Sequence, residues 1–136
     1  MSIEDQIKRH EGLRLKPYYC TANHLTIGYG RNLEDRGLTQ DEADYLLAND
    51  IASVRAKLAD QIPWYLNLSS VRQAVLVNMA FNLGVGGLLK FKKMLAAVQQ
   101  SNYEVAAVEM LDSRWADQVG YRSQELAEQM RVNEWQ

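Results

Sequence analysis

The chain has 136 residues, of which 47% are hydrophobic and 24% are charged, a composition typical of a globular domain. Its formal net charge of −2 argues against nonspecific nucleic-acid binding, which needs an electropositive face. No apolar run reaches the roughly 18 residues of a membrane span, and the polar start MSIEDQIKRHEG lacks the apolar stretch of a signal peptide. We therefore expect a protein with no nucleic-acid partner and no membrane segment, synthesised in the cytoplasm without a signal peptide. Nothing in the sequence suggests an oligomer, so a monomer is expected.

The first elements are predicted from capping residues and from a change of residue type. Ser2, followed three residues later by Asp5, is typical of a helix start, and Gly12 favours a stop, so that Glu11 lies in the last turn. From residue 13 to 33, short alternating runs of tyrosine, threonine and isoleucine are broken by proline and glycine. This pattern predicts a small antiparallel hairpin or a three-stranded sheet.

The rest of the chain is predicted to be helical. The capping box Thr39–Glu42 opens a helix of about five turns that stops before Pro63. Ser69-Ser70 can cap the segment Val71–Leu83, which has almost no polar face and is therefore expected to be buried on nearly all sides. Shorter helices are predicted over Leu88–Gln99, from a capping box at Ser101–Glu104 to Leu111, and around Gln124–Met130.

These elements predict an α+β fold. We expect a single domain over residues 1–136, with a small N-terminal lobe that carries the short antiparallel sheet (about 12–60), a long connecting helix, and a larger all-α C-terminal lobe (61–136 plus the N-terminal helix). A cleft between lobes is the expected ligand site.

Three polar residues are predicted to converge near the sheet. Glu11 ends a helix, Cys20 ends the first predicted strand and Thr26 begins the second, and antiparallel pairing brings positions 20 and 26 together. Each residue also has an ordinary structural interpretation: a solvated glutamate, a small core cysteine and a β-forming threonine. The single cysteine of the chain excludes an internal disulfide.

Other interpretations of the same region remain open. His10, Glu11, Cys20 and His24 could bind a metal, although the spacing lacks the C-x-x-C or H-x-x-x-H pattern of zinc sites. Cys20 could be a nucleophile paired with His10 or His24, although no third, orienting group is evident. The cationic run Lys90–Lys93 is typical of a solvated helix face.

The run HEGLRLKPYYCTANHLTIGYGRNL resembles the N-terminal motif of the phage-type lysozymes, glycoside hydrolase family 24. The resemblance continues in order through LTQDEADYLLANDI, VRQAVLVNMAFNLGVGGLLKF and AAVEMLDSRWADQVGYRSQELAEQMRVNEW, and it covers essentially the whole chain. It implies a lysozyme-like fold and a muramidase that cuts the β-1,4 bond between N-acetylmuramic acid and N-acetylglucosamine in peptidoglycan, with no metal or cofactor. The family's catalytic set of Glu, Asp or Cys, and Thr falls by motif on Glu11, Cys20 and Thr26.

The resemblance also implies substrate contacts. Gly28 and Gly30 are expected to let sugar rings approach the hairpin backbone, and Phe81 and Asn82 resemble cleft-lining positions. Arg122 is expected to be a basic partner of Glu11. Some relatives carry histidine at the position of Arg31, to which we assign no catalytic role.

The implied mechanism departs from the usual pair of carboxyl groups, since only Glu11 is available. We expect Glu11 to protonate the leaving oxygen, and Thr26 with Cys20 to position the attacking water. A peptidoglycan-binding module without activity, a transglycosylase and a chitin-directed enzyme remain alternatives. The inverting or retaining outcome, the host wall, and the choice between a free endolysin and delivery by a phage tail or secretion apparatus stay open.

Overall fold

The computed structural model describes all 136 residues, and they form two compact units, Met1–Leu46 and Leu47–Gln136. The boundary between the units falls inside a long helix, and the N-terminal helix is part of the first unit, whereas the sequence predicts lobes of about 12–60 and 61–136. The assignment of residues 1–136 to one lysozyme domain stays a prediction. None of the helices combines the length and the apolar character that crossing a membrane requires.

The first unit consists of one helix, a small sheet and the start of a second helix. Its elements are α1 (Ile3–Glu11), β1 (Arg14–Tyr19), β2 (Leu25–Gly28), β3 (Arg31–Asn32) and the beginning of α2 (Gln40–Gln61), which continues into the second unit. The Ser2 hydroxyl accepts the Asp5 N–H at 3.0 Å, and the Asp5 carboxylate accepts the Ser2 N–H at 3.0 Å. This reciprocal cap fixes the start of α1, and Gly12, with φ of 72°, ends it as predicted.

The sheet has three antiparallel strands in the order β1-β2-β3. Tyr18 pairs with Thr26, and Thr26 pairs on its other side with Asn32. Of the two predicted arrangements, the three-stranded sheet is the one that forms. Cys20 lies one residue beyond β1 and Thr26 is the second residue of β2, so each predicted strand boundary is displaced by one position.

Arg31 anchors the third strand to the start of α2. Glu42 accepts the Thr39 N–H at 2.8 Å and returns its own N–H to the Thr39 hydroxyl at 3.2 Å, which confirms the predicted capping box. The Arg31 guanidinium forms a two-point ion pair with the same Glu42 carboxylate and also donates to the Gly37 carbonyl at 2.9 Å. Arg31 therefore joins β3 to the loop before α2 and to the first turn of that helix.

The second unit is entirely helical beyond α2. It contains a short 3-10 helix (Pro63–Asn67), α3 (Ser70–Leu83), α4 (Val85–Leu89), α5 (Lys92–Gln99), α6 (Tyr103–Leu111), α7 (Arg114–Val119) and α8 (Tyr121–Val132). The side chain of Ser69 caps α3 by accepting the Arg72 N–H at 3.2 Å. Helix α3 buries Val75, Leu76, Val77, Met79 and Ala80, which confirms its predicted place at the centre of the core. Its last turn, however, exposes Phe81 and Asn82.

Every fully buried large apolar side chain belongs to the second unit: Leu58, Leu76, Met79, Leu88, Met94, Met110 and Met130, with the smaller Val75 and Val98. Burial of each such side chain contributes about 1.5–3 kcal/mol. Four of these residues are methionines, whose flexible chains fill irregular gaps between short helices. In the first unit only Thr26 is buried, at 3% exposure.

Several helix predictions in this unit were wrong in their boundaries. Leu88–Gln99 is two helices, because Phe91 adopts ψ of 60° and packs edge-on against Trp115. Helix α6 begins after Asn102 rather than Ser101, since Ser101 has φ of +60° and the Asn102 side chain accepts the Val105 N–H. Helix α8 is longer than Gln124–Met130, and the 3-10 helix and α7 were not predicted.

Candidate active site

Glu11 is the last residue of α1, and its carboxyl group lies against the backbone of Gly30. A β-carbon on Gly30 would stand 2.7 Å from Glu11 Oε2 and 3.0 Å from its Cδ, and Gly30 has φ of +81°. The space that a side chain would fill at Gly30 is thus filled by Glu11. At Gly28, by contrast, no heavy atom lies within 4 Å of the corresponding position.

Cys20 begins the tight turn that joins β1 to β2. Its N–H donates to the His24 carbonyl at 3.0 Å, and its carbonyl accepts the Asn23 N–H at 2.8 Å. Asn23 adopts φ of +62°, a conformation that asparagine tolerates better than most residues. The turn leaves the Cys20 side chain partly buried at the end of the strand.

Thr26 lies beside this turn, and its hydroxyl is the buried polar group of the sheet. The hydroxyl donates to the His24 carbonyl at 2.8 Å, the same oxygen that accepts the Cys20 N–H. The same hydroxyl lowers the pKa of the Cys20 thiol. Cys20 and Thr26 are therefore joined through the His24 carbonyl, which accepts from both.

This environment favours the thiolate form of Cys20. The backbone of His24 is the largest cause, and together with the Thr26 hydroxyl and the backbone of Ala22 it holds the pKa of the Cys20 thiol below its ordinary value. Hydrogen bonds to sulfur stabilise the anion more than the neutral thiol. A larger fraction of Cys20 is therefore ionised near neutral pH than in an exposed cysteine.

The metal-site interpretation of this region receives no geometric support. No group of three or more His, Cys, Asp or Glu side chains is arranged to hold a metal ion. The Nδ1 atom of His24 lies 3.5 Å from Glu34, whose other carboxylate oxygen accepts the Leu25 N–H at 3.0 Å. His24 thus pairs with Glu34, a residue that sequence reasoning did not single out.

The remaining predicted site residues lie in the second unit. Asn82 Oδ1 accepts the indole N–H of Trp115 at 3.0 Å, a structural role that the sequence did not indicate. The Nε and Nη2 atoms of Arg122 donate to Asn78 Oδ1 at 2.9 and 2.6 Å. Phe81 and Arg122 line one pocket of about 260 Å³.

The three lysines of the run Lys90–Lys93 are exposed, as expected of a solvated helix face, although Lys90 lies between two helices and Phe91 is partly buried. It lines a cavity of about 610 Å³ together with Trp115 and the carboxylates of Glu109 and Asp112. None of its three lysines forms an ion pair.

A short three-stranded antiparallel sheet combined with eight α-helices defines a lysozyme-like α+β fold. The family model described as phage lysozyme matches residues 8–133, and the chain belongs to this family. The matched domain is accordingly a lysozyme, a glycoside hydrolase that acts on peptidoglycan.

Named relatives agree with this assignment. The chain is 30% identical to a probable T4-type lysozyme 1 of Dictyostelium discoideum, over 90% of the chain and 89% of the relative. It is 34% identical to an endolysin of Acyrthosiphon pisum secondary endosymbiont phage 1, over 81% of the chain and 74% of that protein. It is also 30% identical to the pre-baseplate central spike protein Gp5 of Enterobacteria phage T4, where 90% of the chain matches only 26% of the relative.

Proposed function

We propose that the whole protein is an endolysin-type muramidase of glycoside hydrolase family 24. It cleaves the β-1,4 bond between N-acetylmuramic acid and N-acetylglucosamine and thereby lyses bacterial cells. The observation that carries this proposal is the His24 carbonyl, which accepts both the Cys20 N–H and the buried Thr26 hydroxyl in the same unit as the Glu11 carboxyl. These residues form the catalytic set, and the reaction uses no metal or cofactor.

In the proposed reaction Glu11 is the general acid. Its proton passes to the glycosidic oxygen as the bond to C1 breaks, and a water oxygen forms the new bond to C1. The Cys20 thiolate accepts the proton that the water loses, and Thr26 orients this water. Exchange of protons with solvent then restores the acidic Glu11 and the thiolate.

The Thr26 hydroxyl has only one proton to donate. It donates to the His24 carbonyl at 2.8 Å, and a thiolate at Cys20 competes for the same proton. The threonine therefore couples the ionisation of Cys20 to the direction of its own hydroxyl.

We also propose substrate contacts for residues outside the catalytic set. Gly28 has open space above its backbone for a sugar ring, and Phe81 presents an exposed aromatic face, 45% accessible. Asn82 keeps free amide donors beyond its bond to Trp115, and Arg122 contributes positive charge toward substrate. Gly30 contributes by holding Glu11 and not by an open surface of its own.

We propose that the protein acts on the cell wall, in the periplasm, as a monomer that does not bind nucleic acid. It is made in the host cytoplasm and reaches the wall after the membrane is permeabilised. The similarity to a phage spike protein supports delivery by another apparatus as the alternative route.

The test is release of new reducing ends from permeabilised Gram-negative cell walls by the purified protein. Glu11→Gln should abolish release, and Cys20→Ala should reduce it about a hundredfold, since each removes a proton-transfer group. Glu4→Gln is the matched control, because Glu4 is exposed in the first turn of the same helix.

Binding to walls without new reducing ends would overturn the enzymatic proposal in favour of a wall-binding module. Products that carry an anhydro ring instead of a reducing end would identify a transglycosylase. Cleavage of chitin but not of peptidoglycan would contradict the proposed substrate.

A further inference from the structure

A pocket of about 260 Å³ in the second unit is lined by positive charges and by no negative one. Apolar side chains of α2 and α3 form part of its wall, Phe81 forms another part, and no carboxylate contributes. Two arginines, Arg55 from α2 and Arg122 from α8, are its only charged lining residues.

Both guanidinium groups are held in place by uncharged partners. Arg55 Nη1 donates to the hydroxyl of Tyr65 at 2.9 Å, and Tyr65 is itself buried at 2% exposure. Arg122 donates through Nε and Nη2 to Asn78 Oδ1, also a lining residue. Neither arginine forms an ion pair with a carboxylate, although the chain as a whole is acidic.

The lining therefore fits an anion that carries a small apolar group. An oriented guanidinium offers several N–H donors in a plane, which suits the two oxygens of a carboxylate. The apolar wall and the ring of Phe81 suit an alkyl substituent. The volume is below the range usual for drug-sized ligands, and it is sufficient for one such group.

We propose that this pocket binds an alkyl carboxylate of peptidoglycan, with Arg55 as a specificity-determining residue. The inference rests on the proposed function and names the part of the substrate that the pocket recognises. Peptidoglycan carries such groups in two places. The lactyl carboxylate of muramic acid is free only where the stem peptide is missing, and the stem peptides themselves end in carboxylates.

The kinetic test compares wild type with Arg55→Gln on two substrates, intact peptidoglycan and glycan strands from which an amidase has removed the stems. Arg55→Gln should raise KM about tenfold with little change in kcat, because it removes a charged hydrogen-bonding group used in binding. An effect on intact wall alone assigns the carboxylate to the stem. An effect on stem-free strands alone assigns it to the lactyl group, and an effect on both assigns the pocket to either carboxylate.

Lys57→Gln is the matched control, because Lys57 is an exposed cation on the same helix outside the pocket. An equal rise in KM for Lys57→Gln would overturn the proposal in favour of general electrostatic attraction. Unchanged KM for Arg55→Gln on both substrates would also overturn it. Arg55→Lys, which keeps the charge, should lie between wild type and Arg55→Gln.

A binding measurement separates this proposal from the proposed activity. N-acetylmuramic acid and its methyl ester are titrated into the protein, and the NMR signals of the Arg55 and Arg122 side chains are followed. The Kd obtained from these shifts should be at least about tenfold lower for the acid than for the ester, and Arg55→Gln should remove this difference. If the protein prefers the acid but does not hydrolyse walls, only the proposed function is contradicted. Equal binding of acid and ester would contradict the pocket assignment.

Discussion

The Oε2 atom of Glu11 lies 2.7 Å from the position that a β-carbon on Gly30 would occupy. A methyl group there must displace the carboxyl group. Gly30→Ala is therefore expected to reduce wall hydrolysis about a hundredfold, since displacement of a reacting group by about 1 Å has effects of this size. The measurement is kcat on purified peptidoglycan.

Gly37→Ala controls for backbone strain in this experiment. Gly37 has φ of +59°, and its nearest neighbour, the Leu33 carbonyl, would lie 3.9 Å from an added β-carbon. Both variants should lose about 1–2 kcal/mol of unfolding free energy, because both place alanine at positive φ. Equal loss of activity in the two variants would show that strain, and not displacement of Glu11, is responsible.

The Cys20 thiol should react with iodoacetamide at a lower pH than an exposed cysteine does. Its pKa is held below the ordinary value by the His24 backbone first and by the Thr26 hydroxyl second. Thr26→Val removes one of these hydrogen bonds, so the pKa of Cys20 should rise and the pH midpoint of alkylation should move upward. Since Cys20 is the only cysteine, the alkylation rate reports this thiol alone.

Thr26→Ser keeps the hydroxyl and serves as the matched variant. Its alkylation midpoint should stay near that of wild type, while Thr26→Val should differ from both. Identical alkylation midpoints in all three proteins would show that the Thr26 hydroxyl does not lower the pKa of the Cys20 thiol.

The ion pair of Arg31 with Glu42 should make the free energy of unfolding depend on pH in the acidic range. The Arg31 guanidinium first, and the Thr39 N–H second, lower the pKa of Glu42 from 4.5 to about 2. Because the pKa of Glu42 is lower in the folded than in the unfolded protein, the ion pair stabilises the fold fully at pH values above 4.5, the pKa of the unfolded state. This stabilisation is lost as the pH falls from there through about 2, the pKa of the folded state. Glu42→Gln removes the charge while retaining a side chain that suits the capping box.

Urea unfolding at pH 7 and near pH 2 checks this expectation. The variant should be less stable than wild type at pH 7, and the difference should shrink toward pH 2. Asp41→Asn, at the neighbouring helix position, should show a smaller change with pH, because Asp41 forms no ion pair. A Glu42→Gln difference that does not depend on pH would contradict the ionic origin.

Asn82 should contribute to stability as well as to the proposed sugar contact. Asn82→Ala removes the acceptor of the Trp115 indole N–H, and Trp115 is only 3% exposed. The unfolding free energy should fall by about 1–3 kcal/mol, because a buried donor loses its partner. Asn82→Asp retains an acceptor and should lose less unfolding free energy than Asn82→Ala. Equal losses in the two variants would argue against a contribution from this hydrogen bond.

The sequence determined the elements whose signals are local. The capping residues Ser2, Thr39 and Ser69 mark three helix starts correctly, because each satisfies backbone N–H groups within its own first turn. The apolar pattern of 71–83 predicted the buried helix at the centre of the core. The resemblance to the phage lysozymes led to the family that the comparison then showed.

Only the tertiary structure decided which side chains meet across the chain. The break at Phe91 depends on its packing against Trp115, and the role of Asn82 depends on the same indole, 33 positions away in sequence. Likewise the absence of a side chain at Gly30 leaves room for the Glu11 carboxyl group, and no periodic pattern in the sequence predicts this contact. Local patterns determine helices and turns because their hydrogen bonds close within a few residues, whereas the contacts that build a site join distant residues and arise only when the chain packs.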